Sequence, residues 1–84
     1  MNEKKSKVTV EIFGESYALK GDAEAERIVK VAAFVDERMH KIAQANVRLS
    51  PAKIAVLAAL NIADEYLQLE KDYQELLELL KDEK

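Results

Sequence analysis

The chain has 84 residues, a net charge of −3 and no cysteine, which excludes disulfide bonds, thiolate metal sites and cysteine nucleophiles. A chain this short predicts one domain with a small core, for which oligomerisation is a common source of further stability. Its longest nearly apolar run, residues 54–63, is about half the length of a membrane span, and the basic N-terminus lacks the apolar segment of a signal peptide. We therefore expect a soluble, intracellular protein.

A β-hairpin is predicted after a leader, residues 1–6, that we expect to be disordered. Residues 7–13 read KVTVEIF, where apolar and polar side chains alternate as in a half-buried strand. Gly14-Glu15 suits a two-residue turn because glycine accepts positive φ, and residues 16–20 form the return strand. A two-stranded hairpin is marginally stable alone, so it requires helices or a second chain against it.

The first helix is predicted from about Ala23 to Asn46, with Asp22 as the N-cap. Apolar residues recur along it at spacings of three and four, which indicates that one face packs on another element. This stripe comprises Ile28, Ala32, Val35, Met39 and Ile42, and it is widened by Val31, Phe34 and Ala43.

The second helix is predicted to begin with Ser50 as its N-cap and Pro51 as its first residue, a position that tolerates the missing N–H. No further proline or glycine interrupts the chain. A helix of about 32 residues spans roughly 45–50 Å. That length exceeds what a head of this size can cover, so part of the helix must project.

A heptad pattern runs along the second helix and predicts a coiled-coil seam. From Ala52 onward, apolar residues alternate at spacings of three and four. The residues predicted to form the oligomer seam are Ala55, Ala59, Ile62, Tyr66, Leu69, Tyr73, Leu76 and Leu80. A single stalk cannot bury this stripe, so we expect at least a dimer.

The other faces of the second helix divide it into two parts. They are apolar up to residue 63 and largely charged beyond it. The sequence therefore predicts an α+β fold with a head of hairpin and helices over residues 7–63. Residues 64–84 form a coiled-coil stalk, continuous with the helix that begins at residue 51.

No catalytic, metal or cofactor site is predicted. The single histidine, His40, has Asp36 and Glu37 at helical spacing, but a metal or catalytic site needs further groups at fixed positions. Gly14 and Gly21 are the only glycines, so there is no phosphate-binding loop. We expect a protein that is not an enzyme.

The order of strand, helix and helix also occurs in ribbon-helix-helix repressors, which place a paired strand in the major groove of DNA. Here the outward side chains of the first strand are Thr9 and Glu11, and Glu15 lies in the predicted turn. Negative charge beside phosphate is unfavourable, so we expect no nucleic-acid binding.

Basic side chains of the head form a predicted docking surface for an acidic protein partner. Residues 1–63 carry a net charge of +2 and residues 64–84 a net charge of −5, which indicates that the two parts make different contacts. Solvated surface charge is the alternative explanation for each cation. The predicted partner-binding residues are Arg27, Lys30, Arg38, Lys41 and Arg48.

Two segments carry a family resemblance. The sequences VEIFGESYAL, residues 10–19, and AALNIADEY, residues 58–66, are similar to the opening hairpin and the Ala-Ala-Leu-Asn-Ile segment of ZapA, a bacterial cell-division family. The resemblance covers about residues 8–72. It implies a non-enzymatic, cytoplasmic protein at the mid-cell division ring that binds filaments of the tubulin-like GTPase FtsZ and cross-links or bundles them.

The resemblance also implies a homodimer, with tetramers formed through the stalks in some members. From the residues themselves we expect no cofactor, nucleic acid or membrane as partner. Among the basic residues, only Arg38 matches a family position. The chain ends about three heptads after Ile62, which favours a dimer because fewer seam layers stabilise a tetramer. The alternative function is a general coiled-coil dimerisation adaptor with another protein partner.

Overall fold

The computed structural model describes residues 6–81. In chain order the elements are strand β1 (Ser6–Ile12), strand β2 (Glu15–Gly21), helix α1 (Ala25–Ala45) and helix α2 (Pro51–Lys81). The predicted α+β fold, a hairpin followed by two helices of which the second is the longer, is confirmed. The predicted leader lies outside the described residues apart from Ser6, which is the first residue of β1.

The two strands pair in antiparallel register, with Val8 opposite Leu19 and Val10 opposite Tyr17. Directly opposed residues point to the same side of a sheet. Val10 is buried and its neighbours on that side are more exposed. The apolar face predicted from the alternation is therefore the face that meets the helices.

The hairpin turn lies one residue earlier than predicted. Ile12 pairs with Glu15, so the two turn residues are Phe13 and Gly14, with φ values of 50° and 83°. Two successive positive φ values are typical of a type I′ turn. The prediction of a Gly14-Glu15 turn is wrong because the backbone N–H of Phe13 donates a 2.7 Å hydrogen bond to Asp36 Oδ1 in α1, which stabilises an unusual conformation for an aromatic residue.

The N-terminus of α1 also differs from the prediction. Asp22 is not the cap, because the chain stays non-helical after β2 until the extended residue Glu24, which is the N-cap without a side-chain cap bond. Its carbonyl accepts hydrogen bonds from the N–H groups of Arg27 and Ile28 at 2.9 and 3.1 Å. At the other end, the Asn46 side-chain amide donates to the Ile42 carbonyl at 2.9 Å.

Helix α2 begins as predicted. Ser50 Oγ accepts a hydrogen bond from the Lys53 N–H at 3.3 Å, and the Ser50 carbonyl accepts one from Ile54. A serine that receives the N–H three residues later is a typical N-cap. Proline at the first position needs no such partner.

A small core joins the helices. Met39 of α1 packs with Ile54 and Ala58 of α2, and Val10 and Ala32 are the other buried apolar residues. Two residues predicted to widen the apolar stripe of α1 are not part of this core, since Val31 is 54 % exposed and Phe34 is 45 % exposed. Both lie where the other elements of the protomer leave α1 open to solvent.

The protomer is thin. Its principal extents are 53 × 46 × 14 Å, and a helix with its side chains has a diameter of about 10–12 Å. The protomer is therefore flat, and the contacts of the hairpin with α1 and of α1 with α2 enclose only a small core. From residue 63 to residue 81 every residue of α2 is exposed, so this part of the helix projects from the head.

Candidate functional site

The predicted seam lies open along one side of α2. Leu69 is 67 % exposed, and the other large seam residues after Ile62 are similarly open. Within the head, α1 contacts a different side of α2, through Ile54 and Ala58. The seam is therefore free of the protomer's own helices, and a contiguous exposed apolar surface of this kind is typical of an interaction site.

An apolar groove extends the seam into the head. It runs between the hairpin, α1 and the first turns of α2, and it includes Ala52 and Ala55, with which the seam begins. A neighbouring groove continues past β2 to Val31. The seam and these grooves together are called the apolar face below. The side chains that line its head portion include Ile12, Phe13, Tyr17, Leu19, Val31, Val35 and Met39.

Three exposed leucines of the stalk, Leu67, Leu77 and Leu79, lie off the predicted seam. The sequence prediction described the stalk as having a single apolar stripe, so it overlooked them. One further line of apolar residues along α2 could have been recognised from its spacing. Val56, Leu60 and Leu67 each follow a seam position by one residue, and they widen the apolar face near the head.

Three of the five predicted partner-binding residues share one side of α1. Arg27, Lys30 and Lys41 are exposed, and their spacings of three and eleven keep them on one face of a helix. Phe34 lies on the same line, four residues after Lys30, and its exposure makes it a candidate contact that the sequence prediction missed. Glu37 also lies on this line. The three cations are called the basic face below.

Arg38 follows Arg27 by eleven residues and Phe34 by four, so it begins on the same side of α1, but its side chain is directed to α2. Its side chain is only 18 % exposed. Its guanidinium donates to both carboxylate oxygens of Glu65, at 3.0 and 3.2 Å, and to Asn61 Oδ1. It also lies 4.8 Å above the ring centroid of Phe34. The structure thus places Arg38 between the two helices.

Arg48 lies apart from the others as well, exposed in the connection between α1 and α2. The structure therefore brings together only part of the predicted set. Spacing along α1 identified the cations that share a face. It could not show that one arginine has partners 23 and 27 residues away in α2.

His40 belongs to the packing of the hairpin turn. Its Nε2 lies 3.3 Å from Asp36 Oδ1, and its ring centroid is 5.1 Å from that of Phe13. Asp36 thereby contacts both the turn and this histidine. Within residues 6–81 there is no group of three or more histidine, aspartate or glutamate side chains placed to hold a metal ion.

The whole architecture can be compared with known proteins. Residues 8–84 match the family model described as "Cell division protein ZapA". The chain belongs to the ZapA family. The resemblance seen in the two sequence segments is confirmed, and the family is one of cell-division proteins and not of enzymes.

The similarity to ZapA proteins extends over almost the whole chain. The chain is 46 % identical over 80 residues to the ZapA of Geobacillus kaustophilus, covering 95 % of this chain and 88 % of the relative. It is 37 % identical over 75 residues to a ZapA of Bacillus cereus, covering 89 % and 84 %. Among solved structures, it is similar to a ZapA mutant dimer from Geobacillus stearothermophilus, with a TM-score of 0.74, 42 % identity and coverage of 96 % and 94 %.

None of the helices within residues 6–81 is long and apolar enough to cross a membrane.

Proposed function

We propose that this ZapA family member is a homodimer that binds FtsZ filaments and cross-links or bundles them at the mid-cell division ring. The observation that carries the proposal is the continuous exposed apolar face, which runs from the head grooves along α2. Family membership supports the cellular role. The similar solved structure, a ZapA dimer, supports the oligomeric state.

The apolar face accounts for dimerisation. Each leucine that moves from water into an interface contributes about 1.5–3 kcal/mol, and the face carries several, including Leu69 and Leu76. A two-fold dimer brings the same surface of both chains together. Such a dimer covers the seam and the head grooves that one protomer leaves open.

The basic face accounts for filament binding. Cations on one protein surface favour an acidic partner and accelerate the encounter with it, and an aromatic side chain among them is a typical anchor. Lys30 and Lys41 supply the charge, with Arg27 at the margin of the head groove. The exposed part of the Phe34 side chain, beside the stacked Arg38, supplies the apolar contact. Arg48 adds a separate exposed cation. We assign Arg38 to the contact between the helices and not to the partner.

Cross-linking follows from symmetry. In a two-fold dimer the basic face occurs twice, so one molecule can bind two filaments. Once the first face is bound, the second binds at a raised effective concentration. The stalk then holds the two chains together, and the heads make the filament contacts.

The experiment mixes the protein with FtsZ and GTP and measures pelleting and light scattering. We expect the protein to pellet with the polymer and to raise the scattering. The double variant Lys30→Glu/Lys41→Glu should bind roughly tenfold more weakly, because it replaces attraction by repulsion. Lys71→Glu/Lys81→Glu, the same charge change on the stalk, is the matched control and should bind like the parent.

Failure of the parent protein to pellet with FtsZ polymer at low salt would refute filament binding. Low salt is the appropriate condition because exposed charges are then least screened. A folded dimer that leaves FtsZ unaffected would instead favour the adaptor function with another partner. Equal loss of binding in Lys30→Glu/Lys41→Glu and in Lys71→Glu/Lys81→Glu would show that binding depends on net charge and not on the basic face.

A further inference from the structure

One side chain makes every hydrogen bond and ion pair that joins α1 to α2 within residues 6–81. It is Arg38, which binds Asn61 and Glu65. The remaining contact between the helices is apolar and is centred on Met39, Ile54 and Ala58. The direction of α2 relative to the head therefore depends on one apolar contact and one polar contact.

The two contacts lie at different heights on α2. Ala58 and Glu65 are seven residues apart, which corresponds to about 10 Å along a helix. The apolar cluster spans one turn of α2, from Ile54 to Ala58, so by itself it constrains the direction of the helix only over about 6 Å and permits it to pivot. The polar contact, about 10 Å further along α2, fixes the helix at a second point and so fixes its direction. It lies where the helix leaves the head and its remaining residues become exposed.

We propose that Arg38, Asn61 and Glu65 are positioning residues that set the angle at which the stalk leaves the head. The guanidinium is planar, and its two parallel hydrogen bonds to one carboxylate fix the orientation of both groups. Phe34 below the guanidinium restricts it further, since cations stack on aromatic faces. Lysine has the charge but lacks this fork, so it could not define the same angle.

The unit formed by Arg38, Asn61 and Glu65 controls the direction of the stalk, whereas a core contact controls stability. Glu65 is 56 % exposed although Arg38 is 18 % exposed, and an ion pair open to solvent on one side contributes little to stability compared with the apolar cluster. Loss of the unit should leave the apolar cluster, and with it the fold, intact. In the dimer, the angle of each head to the shared stalk sets the separation of the two basic faces, and this consequence alone depends on the proposed function.

Double electron–electron resonance can measure the angle as a distance distribution. The chain has no cysteine, so spin labels can be attached through Ala33→Cys in α1 and Gln74→Cys in the stalk, both at exposed positions. Dilution with unlabelled protein restricts the signal to distances within one protomer. No FtsZ is present, so failure here and failure of filament binding are distinguishable.

We expect one narrow distribution in the parent protein and a roughly twofold broader one in Arg38→Lys and in Glu65→Gln, because the pivot is then released. Glu75→Gln is the matched control, since it removes a carboxylate from an exposed position further along the same helix. It should leave the distribution unchanged. The dimer mass and the midpoint of thermal unfolding should stay close to those of the parent in all three variants.

A charge exchange completes the test. Arg38→Glu alone should broaden the distribution, and Arg38→Glu with Glu65→Arg should restore much of the narrow width. Distributions as narrow in Arg38→Lys and Glu65→Gln as in the parent would overturn the proposal. It would also be overturned if these two variants unfolded the head, because the residues would then act on stability and not on the angle.

Discussion

The two halves of α2 are one continuous helix with one heptad seam, yet they have different surroundings. In residues 51–62 the chain supplies its own partner, so Ile54 is 3 % and Ala58 is 2 % exposed. In residues 63–81 no residue is buried. The comparison shows that apolar spacing indicates which side of a helix becomes covered but does not indicate whether the cover comes from the same chain.

A charge in the seam should have the largest effect, because the stalk half of α2 depends on a second chain to cover its apolar side. Leu69→Glu removes leucine burial worth roughly 1.5–3 kcal/mol per chain, and a buried unpaired carboxylate adds a further cost. The dimer should weaken by at least about a hundredfold. Light scattering coupled to size exclusion measures the change in mass.

Lys71→Gln is the control for the seam variant, since it lowers the net charge of the stalk by the same one unit on the side of α2 away from the seam. Its mass should equal that of the parent. Unchanged mass in Leu69→Glu would show that the stalk seam is not the dimer contact. The head grooves alone would then hold the chains together.

The head half of α2 depends on the protomer's own core, so a cavity made in that core should lower the free energy of unfolding. Ile54→Ala removes a buried side chain from the small core, and such substitutions cost about 2–5 kcal/mol. Urea unfolding at one protein concentration measures the loss. Val47→Ala, at a position 82 % exposed in the connection between the helices, should change the free energy of unfolding by less than about 0.5 kcal/mol. Equal losses in both variants would contradict the assigned core.

A substitution in the hairpin turn should have the smallest effect on stability, and that effect should be confined to the head. Gly14→Ala places a side chain at φ 83° with no atom within 4 Å of the new Cβ, so the cost is backbone strain of about 1–2 kcal/mol. Gly21→Ala is the control, because its Cβ meets Ile28 at an ordinary 3.6 Å and its φ is not positive. Urea unfolding distinguishes the two, and equal stability in both variants would rule out the type I′ turn.

Much of the fold could be predicted because its signals are local. Alternation identified the strands, and Ser50-Pro51 marked the start of α2 where the structure places it. The errors have non-local causes. The turn lies at Phe13-Gly14 because Asp36, 23 residues away, accepts the Phe13 N–H, and no spacing within the hairpin contains that information.

The candidate site was predictable to a smaller extent. Helical spacing placed Lys30 and Lys41 on one face, but it gave Arg38 the same role as its neighbours. The actual partners of Arg38, Asn61 and Glu65, lie on the other helix. Since their selection depends on how α1 and α2 cross, the sequence of either helix alone could not reveal it.

The 14 Å thickness of the protomer has a consequence for how much functional protein a cell holds. A flat chain encloses only a small core, and in a homodimer the exposed apolar face is covered only when two chains meet. Completing the core is then a bimolecular reaction, governed by mass action. Halving the supply of chains would remove more than half of the completed molecules near the dissociation constant, so the abundance of the protein would itself regulate its activity.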